Sequence, residues 1–388
     1  IELTISDGSD SIPYQIYDEN DFLDIYDLSE NHSEDSPNTY TYELKNNIDL
    51  GKMYLSTEPK VREKLNRIGS YFEFKDVLRS EKKNGINRQY VVSGIKLNQV
   101  ATSPISGDNA EYVGLFSILR GSISNVSFNI ETDLGAIGVD YFGLLAGKII
   151  DGELNQVRVL CESTNTTLSS SNVMYVGGIA GYVEGATLND IKLVGNLSIT
   201  LNQNASVGGM FGYCDSSITN SSDFRAQSVE LIVTQKDGAS LGNVKIGGII
   251  GEYHNGTVTQ SQLQNMSVAG FVNASEFDNV GGIVGYNTAL IIDIKTTANV
   301  IGHNNVGGAV GYNKGNLKNI IAENYVSDIM FEYALVQGYS NIGGLVGCDE
   351  GGYISYSYIQ TFANKIFRKL TSSTIADYVG DIWGSKIG

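Results

Sequence analysis

Apolar residues in this chain recur in two short patterns rather than in one continuous period. The first is a Val-Gly-Gly-Ile-Val-Gly-Tyr-type segment. Its clear copies are Val176-Gly177-Gly178-Ile179-Ala180-Gly181-Tyr182, Val207-Gly208-Gly209-Met210-Phe211-Gly212-Tyr213, Ile246-Gly247-Gly248-Ile249-Ile250-Gly251, Val280-Gly281-Gly282-Ile283-Val284-Gly285-Tyr286, Val306-Gly307-Gly308-Ala309-Val310-Gly311-Tyr312 and Ile342-Gly343-Gly344-Leu345-Val346-Gly347. Weaker copies flank them at Tyr112-Val113-Gly114-Leu115-Phe116, Tyr141-Phe142-Gly143-Leu144-Leu145-Ala146-Gly147 and Tyr378-Val379-Gly380-Asp381-Ile382-Trp383-Gly384. Spacings between copies run from 26 to 39 residues.

The second pattern starts nine to eleven residues after the first glycine of a copy. It reads Ile123/Val126/Phe128, Leu154/Val157/Val159, Leu188/Ile191/Leu193, Ile218/Ser221, Val258/Ser261/Leu263, Ile291/Ile294, Leu317/Ile320/Ala322 and Ile354/Ser357/Ile359. Alternation at i, i+2 within it is the period of a half-buried strand. Each unit is therefore expected to hold one Gly-rich strand, a short turn and one or two further strands. Turn residues stand between them, as in Glu184-Gly185, His254-Asn255-Gly256 and Asn313-Lys314-Gly315.

No such unit can bury its apolar face alone, whereas stacked units share one interior. In-register parallel stacking advances roughly 4.8 Å per rung, so nine rungs would span about 40 Å. The predicted fold is all-β, a right-handed parallel β-helix over residues 95–388, with unequal spacings taken up by loops. Strict alternation would put Val280 and Ile283 on opposite faces. A bend or bulge at Gly281-Gly282 returns both to the core, and the third glycine is expected to open the following turn.

Residues 1–94 differ. Asp18 is a candidate N-cap for a short acidic helix through Tyr26. Tyr40–Leu44 and Ile48–Leu50 have strand character, residues 58–83 look helical, and Tyr90–Leu97 restores a strand. This segment is expected to be an N-terminal cap and first coil with a helical insertion, protecting an otherwise open β edge.

The repeat resembles the GLUG repeat, named for a Gly-Leu-aliphatic-Gly core. Gly344-Leu345-Val346-Gly347 fits that core literally and Gly282-Ile283-Val284-Gly285 conservatively. The resemblance covers about residues 95–388. It implies a β-helix segment of a bacterial surface or secreted protein, adhesin-like or from the non-catalytic region of an immunoglobulin-A-peptidase-like protein. The first two copies lack the full double glycine, and Asp381 stands where an aliphatic residue is expected.

Composition narrows the partners. Forty-five glycines without a Gly-X-Y period exclude collagen. A net charge of −17 disfavours nucleic acid and anionic lipid. No apolar run is long enough to cross a bilayer. The chain begins at Ile1 without a signal-peptide pattern, which suggests a mature or excised segment. Cys161, Cys214 and Cys348 are widely spaced, form neither a disulfide framework nor a zinc motif, and are expected to be buried.

Candidate chemistry is sparse. No His-Glu-x-x-His or Gly-x-Ser-x-Gly occurs. His32, His254 and His303 lie far apart among turn residues and are expected on the solvated surface. The carboxylates Asp151, Glu153, Asp190, Asp215, Glu252, Asp278, Asp293, Asp349 and Glu350 show no recurring pair on neighbouring rungs. No phosphate loop is present. The acidic stretches Asp18–Asp24 and Glu34-Asp35 lack calcium-loop spacing. No cofactor, metal or catalytic residue is expected.

Tyrosine is the remaining signal. Tyr182, Tyr213, Tyr286 and Tyr312 share one repeat position and predict an aromatic ladder, which is either a structural stack near a corner with wet hydroxyls, the favoured reading, or a sugar- or protein-binding face. Asn125, Asn220 and Asn319 share another and predict a buried asparagine ladder. The functional expectation is a non-catalytic extracellular binding or scaffold segment, secreted or on the cell surface. It would present loops to a host or surface glycan or protein and join further domains of the same polypeptide, with no nucleic-acid partner and no membrane insertion. The alternatives are a β-helix carbohydrate-active enzyme and an accessory segment of a larger metallopeptidase.

Overall fold

A computed structural model of the chain describes residues 8–30, 39–106, 109–132, 134–256, 261–324, 336–361, 367–369, 379–380 and 383–387. Of the positions singled out above, His32, Glu34, Asp35, Val258, Tyr378, Asp381 and Ile382 lie outside them.

The protein is all-β with parallel sheets. Among the described residues there are one 20-stranded and two 10-stranded sheets, plus a two-stranded hairpin. Each of the first eight repeat units contributes to all three large sheets. One unit supplies Met174–Gly177 to the second sheet, Ala180–Glu184 to the third and Thr187–Leu201 to the first. Its strands pair in parallel with the equivalent strands of the units on either side. Val176 sits opposite Phe142 and Val207, and Leu188 opposite Leu154 and Ile218. The Gly-rich element expected as one strand is thus two strands belonging to different sheets.

The reason lies in the bend between them. Val280, Ile283 and Val284 are all fully buried, so the turn at Gly281-Gly282 returns both sides to the interior as anticipated. The third glycine does not open a turn. Gly285 lies inside the strand Val284–Asn287, and a Cβ there would stand 2.5 Å from the Ile246 nitrogen and 2.7 Å from the Gly251 oxygen. That glycine lets the backbone of the third sheet close against the second. One continuous apolar interior runs from Ile16 to Val346.

The position shared by Asn125, Asn220 and Asn319 is a corner, not a buried ladder. Asn125, Gln156, Asp190, Asn265, Asp293, Asn319 and Tyr356 follow one another rung by rung with φ between 51° and 58°. Asn and Asp are the non-glycine residues that best tolerate this left-handed region, because their short side chains bond locally. Asn220 alone departs from it. It is 2% exposed, and its Oδ1 accepts the Ile191 N–H at 2.9 Å. Asn125→Gly is accordingly expected to change stability by less than about 0.5 kcal/mol, whereas Asn125→Val should lose about 1–2 kcal/mol through backbone strain. Urea midpoints of the two variants would check this, and equal midpoints would count against it.

Two offsets read from the sequence shift. In the unit starting at Gly247, register places Leu263 opposite Ile218 and Ile291, where the spacing had suggested Val258. Ser221 joins no strand: it precedes the 3₁₀ turn Ser222–Phe224, after which Ala226–Gln235 resumes pairing.

In the N-terminal segment, helix α1 (Glu19–Glu30) forms with Asp18 as its cap. The Asp18 Oδ1 accepts the Asn20 and Asp21 N–H groups at 2.9 and 3.1 Å. Phe22, Leu23, Ile25 and Tyr26 are buried, and the Tyr26 hydroxyl donates to the Leu115 oxygen at 3.1 Å. The helix expected over residues 58–83 is confined to α2 (Pro59–Leu65). Beyond it, Glu73–Phe74 and Val77–Ser80 join the large sheets, because pairing with Ile118 and Ile123 outweighs local helical preference. The strands Tyr14–Ile16, Thr41–Leu44 and Val77–Ser80 pair in series, and Tyr90–Leu97 spans residue 94 and pairs with Val126–Thr132.

Candidate functional site

Outside the interior, the second and third sheets face each other across the bend, and their outward side chains form two columns. The predicted ladder is in the third sheet. Tyr182 and Tyr213 stack with centroids 4.4 Å apart and planes 6° apart, and Tyr286 and Tyr312 stack at 5.7 Å. Between the two pairs the register position is Glu252. The ring of His254 fills the gap, 5.1 Å from Tyr213 and 5.8 Å from Tyr286. His254 is therefore an integral ladder member rather than a solvated loop residue.

The opposing column was not anticipated. Tyr112, Tyr141 and Tyr175 stack at 5.3 and 5.8 Å. Tyr175 meets Tyr182 edge-on at 5.2 Å, closing the corner between sheets. Lys148, one rung before Tyr182 in register, places its Nζ 3.8 Å from the Tyr141 centroid, a cation–π contact. A sequence signal for this column exists: a tyrosine stands two residues before the first glycine in Tyr112-Val113-Gly114, Tyr141-Phe142-Gly143 and Tyr175-Val176-Gly177. Further along, the same column becomes Asn279, Asn305 and Asn341. These form an exterior asparagine ladder, with each Nδ2 donating to the preceding Oδ1 at 2.9 and 2.8 Å.

Because the rings stack on one another, the two columns offer chiefly edges and hydroxyls rather than faces. Burial raises the phenol pKa values of Tyr175, Tyr182 and Tyr312, and brings Tyr213 up to about 12. These hydroxyls stay protonated and serve as neutral donors and acceptors.

A charged node interrupts the aromatic columns at Glu252. Lys245 Nζ donates to Oε1 at 2.7 Å, Ser206 Oγ donates to the same oxygen, and His254 Nε2 lies 3.1 Å from Oε2. Burial alone would raise the Glu252 carboxyl, but these bonds from His254, Lys245 and Ser206 outweigh it and bring it to about 2. The carboxylate stands between Ser206 and His254, so serine and imidazole do not form the nucleophile–base contact of acyl-transfer sites. A depressed folded-state pKa contributes stability that is present above the unfolded carboxyl pKa and lost as pH falls toward 2, here about 3 kcal/mol. Glu252→Gln is expected to be less stable than the parent at pH 6, with the gap shrinking between pH 4.5 and 2. Thermal melts across that range read the gap, and a pH-independent gap would refute the assignment.

Two of the carboxylates named from the sequence, Asp151 and Asp215, do come together. Asp151 and Asp215, with Glu184, line a cavity of about 570 Å³ at the turn from the third sheet to the first. Glu184 and Asp215 directly follow Val183 and Cys214, which pair across adjacent rungs. Thr187, Asn189, Ser216, Ser217, Thr219 and Ser261 complete its polar wall. Elsewhere, Asp349 ends a fully buried ladder with Asn287 and Asn313, while Asp293 is bonded by Asn319 Nδ2 at 2.7 Å and Asp278 by His303. Cys161, Cys214 and Cys348 are buried and form no disulfide, and burial pushes the Cys214 thiol up to about 12. Among the described residues no group of three His, Cys, Asp or Glu side chains could hold a metal, and no helix is long and apolar enough to cross a membrane.

No family model matches the chain, and no curated protein matches it. A solved structure named "putative immunoglobulin A1 protease", from Bacteroides ovatus, is 14% identical, with 98% of this chain and 85% of that chain covered and a TM-score of 0.38. A likeness this distant carries no argument about fold or activity.

Proposed function

We propose that the three parallel sheets are the walls of one right-handed parallel β-helix of the GLUG-repeat kind, and that the segment is a non-catalytic binding or scaffolding part of a secreted or surface-displayed protein. Handedness follows from the strong preference of parallel crossover connections for the right-handed form. The carrying observation is the pair of adjoining outward columns, running from Tyr112 and Lys148 to Tyr312 and Asn341 along successive rungs. A repeating row of ring edges, hydroxyls and amides is suited to an extended surface ligand, glycan or protein. The net charge of −17 argues against nucleic acid.

The test is saturable binding of the purified chain to mucin and to epithelial cell surfaces by surface plasmon resonance. Tyr175→Ser in these columns is expected to weaken it at least tenfold. Serine is the residue that the next rung, Ser206, already carries at that position, so the fold should survive. No binding to either surface would remove the reading. A carbohydrate-active enzyme is the second reading, favoured by Asp151, Glu184 and Asp215 sharing one cavity. New reducing ends on incubation with polysaccharide would establish it.

A further inference from the structure

The cavity between the third and first sheets is separate from the aromatic columns and follows from a local irregularity in the stack. At Asp151 and Gly185 the chain turns through the left-handed region, with φ of 54° and 64°. One rung later the turn is Asp215-Ser216-Ser217, and neither Asp215 nor its two successors adopts a positive φ. The change of turn type opens a space of about 570 Å³, within the range of small-ligand pockets.

Its lining has two parts. The rear wall is already satisfied: the Asp215 Oδ1 accepts the Gly185 N–H at 3.0 Å, and Ser216 Oγ accepts the Ala186 N–H at 2.8 Å. Asp215 is 8% and Ser216 4% exposed, so this wall is built in. At the front stand Asp151, Glu184, Thr187 and Asn189, of which Asp151, Glu184 and Thr187 are exposed. These four side chains have no hydrogen-bond or ion-pair partner among the described residues. Among the described residues the lining includes no lysine, arginine or histidine, and its apolar part is Ile150 and Ala186, with the core residue Leu188 beneath.

We infer that this cavity holds a saccharide unit without anionic groups, gripped through vicinal hydroxyls by Asp151 and Glu184 with Thr187 and Asn189 completing the contacts. Carboxylates accept charge-assisted bonds from hydroxyl pairs, which are shorter and stronger than neutral ones. An acidic sugar would meet like charge with no cation to offset it. The small apolar part suits the C–H side of a pyranose. The inference rests on reading the chain as a binding segment and names the ligand class for a second site within it.

The experiment measures the intact chain on immobilised neutral oligosaccharides (oligomannose, galactan and N-acetyllactosamine chains) beside sialylated and uronate-containing counterparts. Saturable binding confined to the neutral set is expected. Asp151→Asn with Glu184→Gln should weaken it at least tenfold, asparagine being chosen because position 151 needs a left-handed backbone. The distant surface variant Lys236→Ala should leave this binding unchanged. Binding lost only in Tyr175→Ser would overturn the cavity assignment while sparing the binding reading. Binding of acidic chains only, of calcium chloride with no saccharide, or of no neutral chain would overturn the saccharide assignment itself. Circular dichroism of each variant reports retained folding.

Discussion

Gly208→Ala is expected to unfold the rungs around it, lowering stability by more than about 4 kcal/mol. A Cβ at this position would stand 1.9 Å from the Phe211 oxygen, 2.6 Å from the Ile249 oxygen and 2.8 Å from the Gly251 nitrogen. All three are backbone atoms. The neighbouring backbone is held by Met210 and Phe211 N–H groups donating to the Ile249 oxygen at 2.9 and 3.0 Å, so it cannot recede without breaking the ladder. The same collision recurs at Gly247, Gly281 and Gly307, with carbonyl contacts of 1.9, 2.1 and 2.0 Å. The effect is steric, not a matter of helix or strand preference. Gly242→Ala is the control: nothing lies within 4 Å of its Cβ, and its stability should move by less than about 1 kcal/mol. Regional hydrogen exchange is the suitable readout, because stacked repeats unfold locally as well as globally. Native-like protection in Gly208→Ala would show that the corner can open, and the account of the repeat would fail.

The second large effect is expected at Asn313→Ala, with a loss of about 2–4 kcal/mol. Asn313 is fully buried in the file Asn287–Asn313–Asp349. Its Oδ1 accepts from Asn287 Nδ2 at 2.8 Å, and its own Nδ2 donates to Asp349 Oδ1 at 2.8 Å and to the Gly315 oxygen at 2.9 Å. Truncation takes from the buried Asn287 amide one of its two acceptors, leaving the Ala289 oxygen, and removes the Nδ2 donor to the buried Asp349 carboxylate. Exposed Asn316 makes no comparable file, so Asn316→Ala should shift the urea midpoint little. A midpoint for Asn313→Ala equal to that of Asn316→Ala would mean that water or a neighbour replaces the lost bonds.

These two positions also mark what could be read in advance. The repeat was legible because a corner that admits no Cβ leaves the first glycine of the segment at every copy and the second at the six clear ones. Tyr182, Tyr213, Tyr286 and Tyr312 were legible for a similar reason, as one offset repeated. The Asn287–Asn313–Asp349 file was not: its members follow the third glycine by two residues, where Val183, Cys214 and Tyr253 occupy the same register in earlier units, so only two of six residues share a type. The asparagines at 125, 220 and 319 do share one register position, but only Asn220 is buried there, while Asn125 and Asn319 owe their place to a positive φ. A backbone of positive φ selects asparagine as readily as a buried amide stack does, and spacing alone does not separate the two.

By itself, the order of residues determined the repeat unit, the stacking of like on like and the buried aliphatic positions, because these depend on period and on glycine's missing side chain. Only the tertiary structure decided that the Gly-rich element splits between two sheets, that His254 replaces a tyrosine in the ladder, and that Asp151, Glu184 and Asp215 share a cavity. Those are juxtapositions between rungs, set by the lengths of the intervening loops, and a loop's length says nothing about which side chains it brings together.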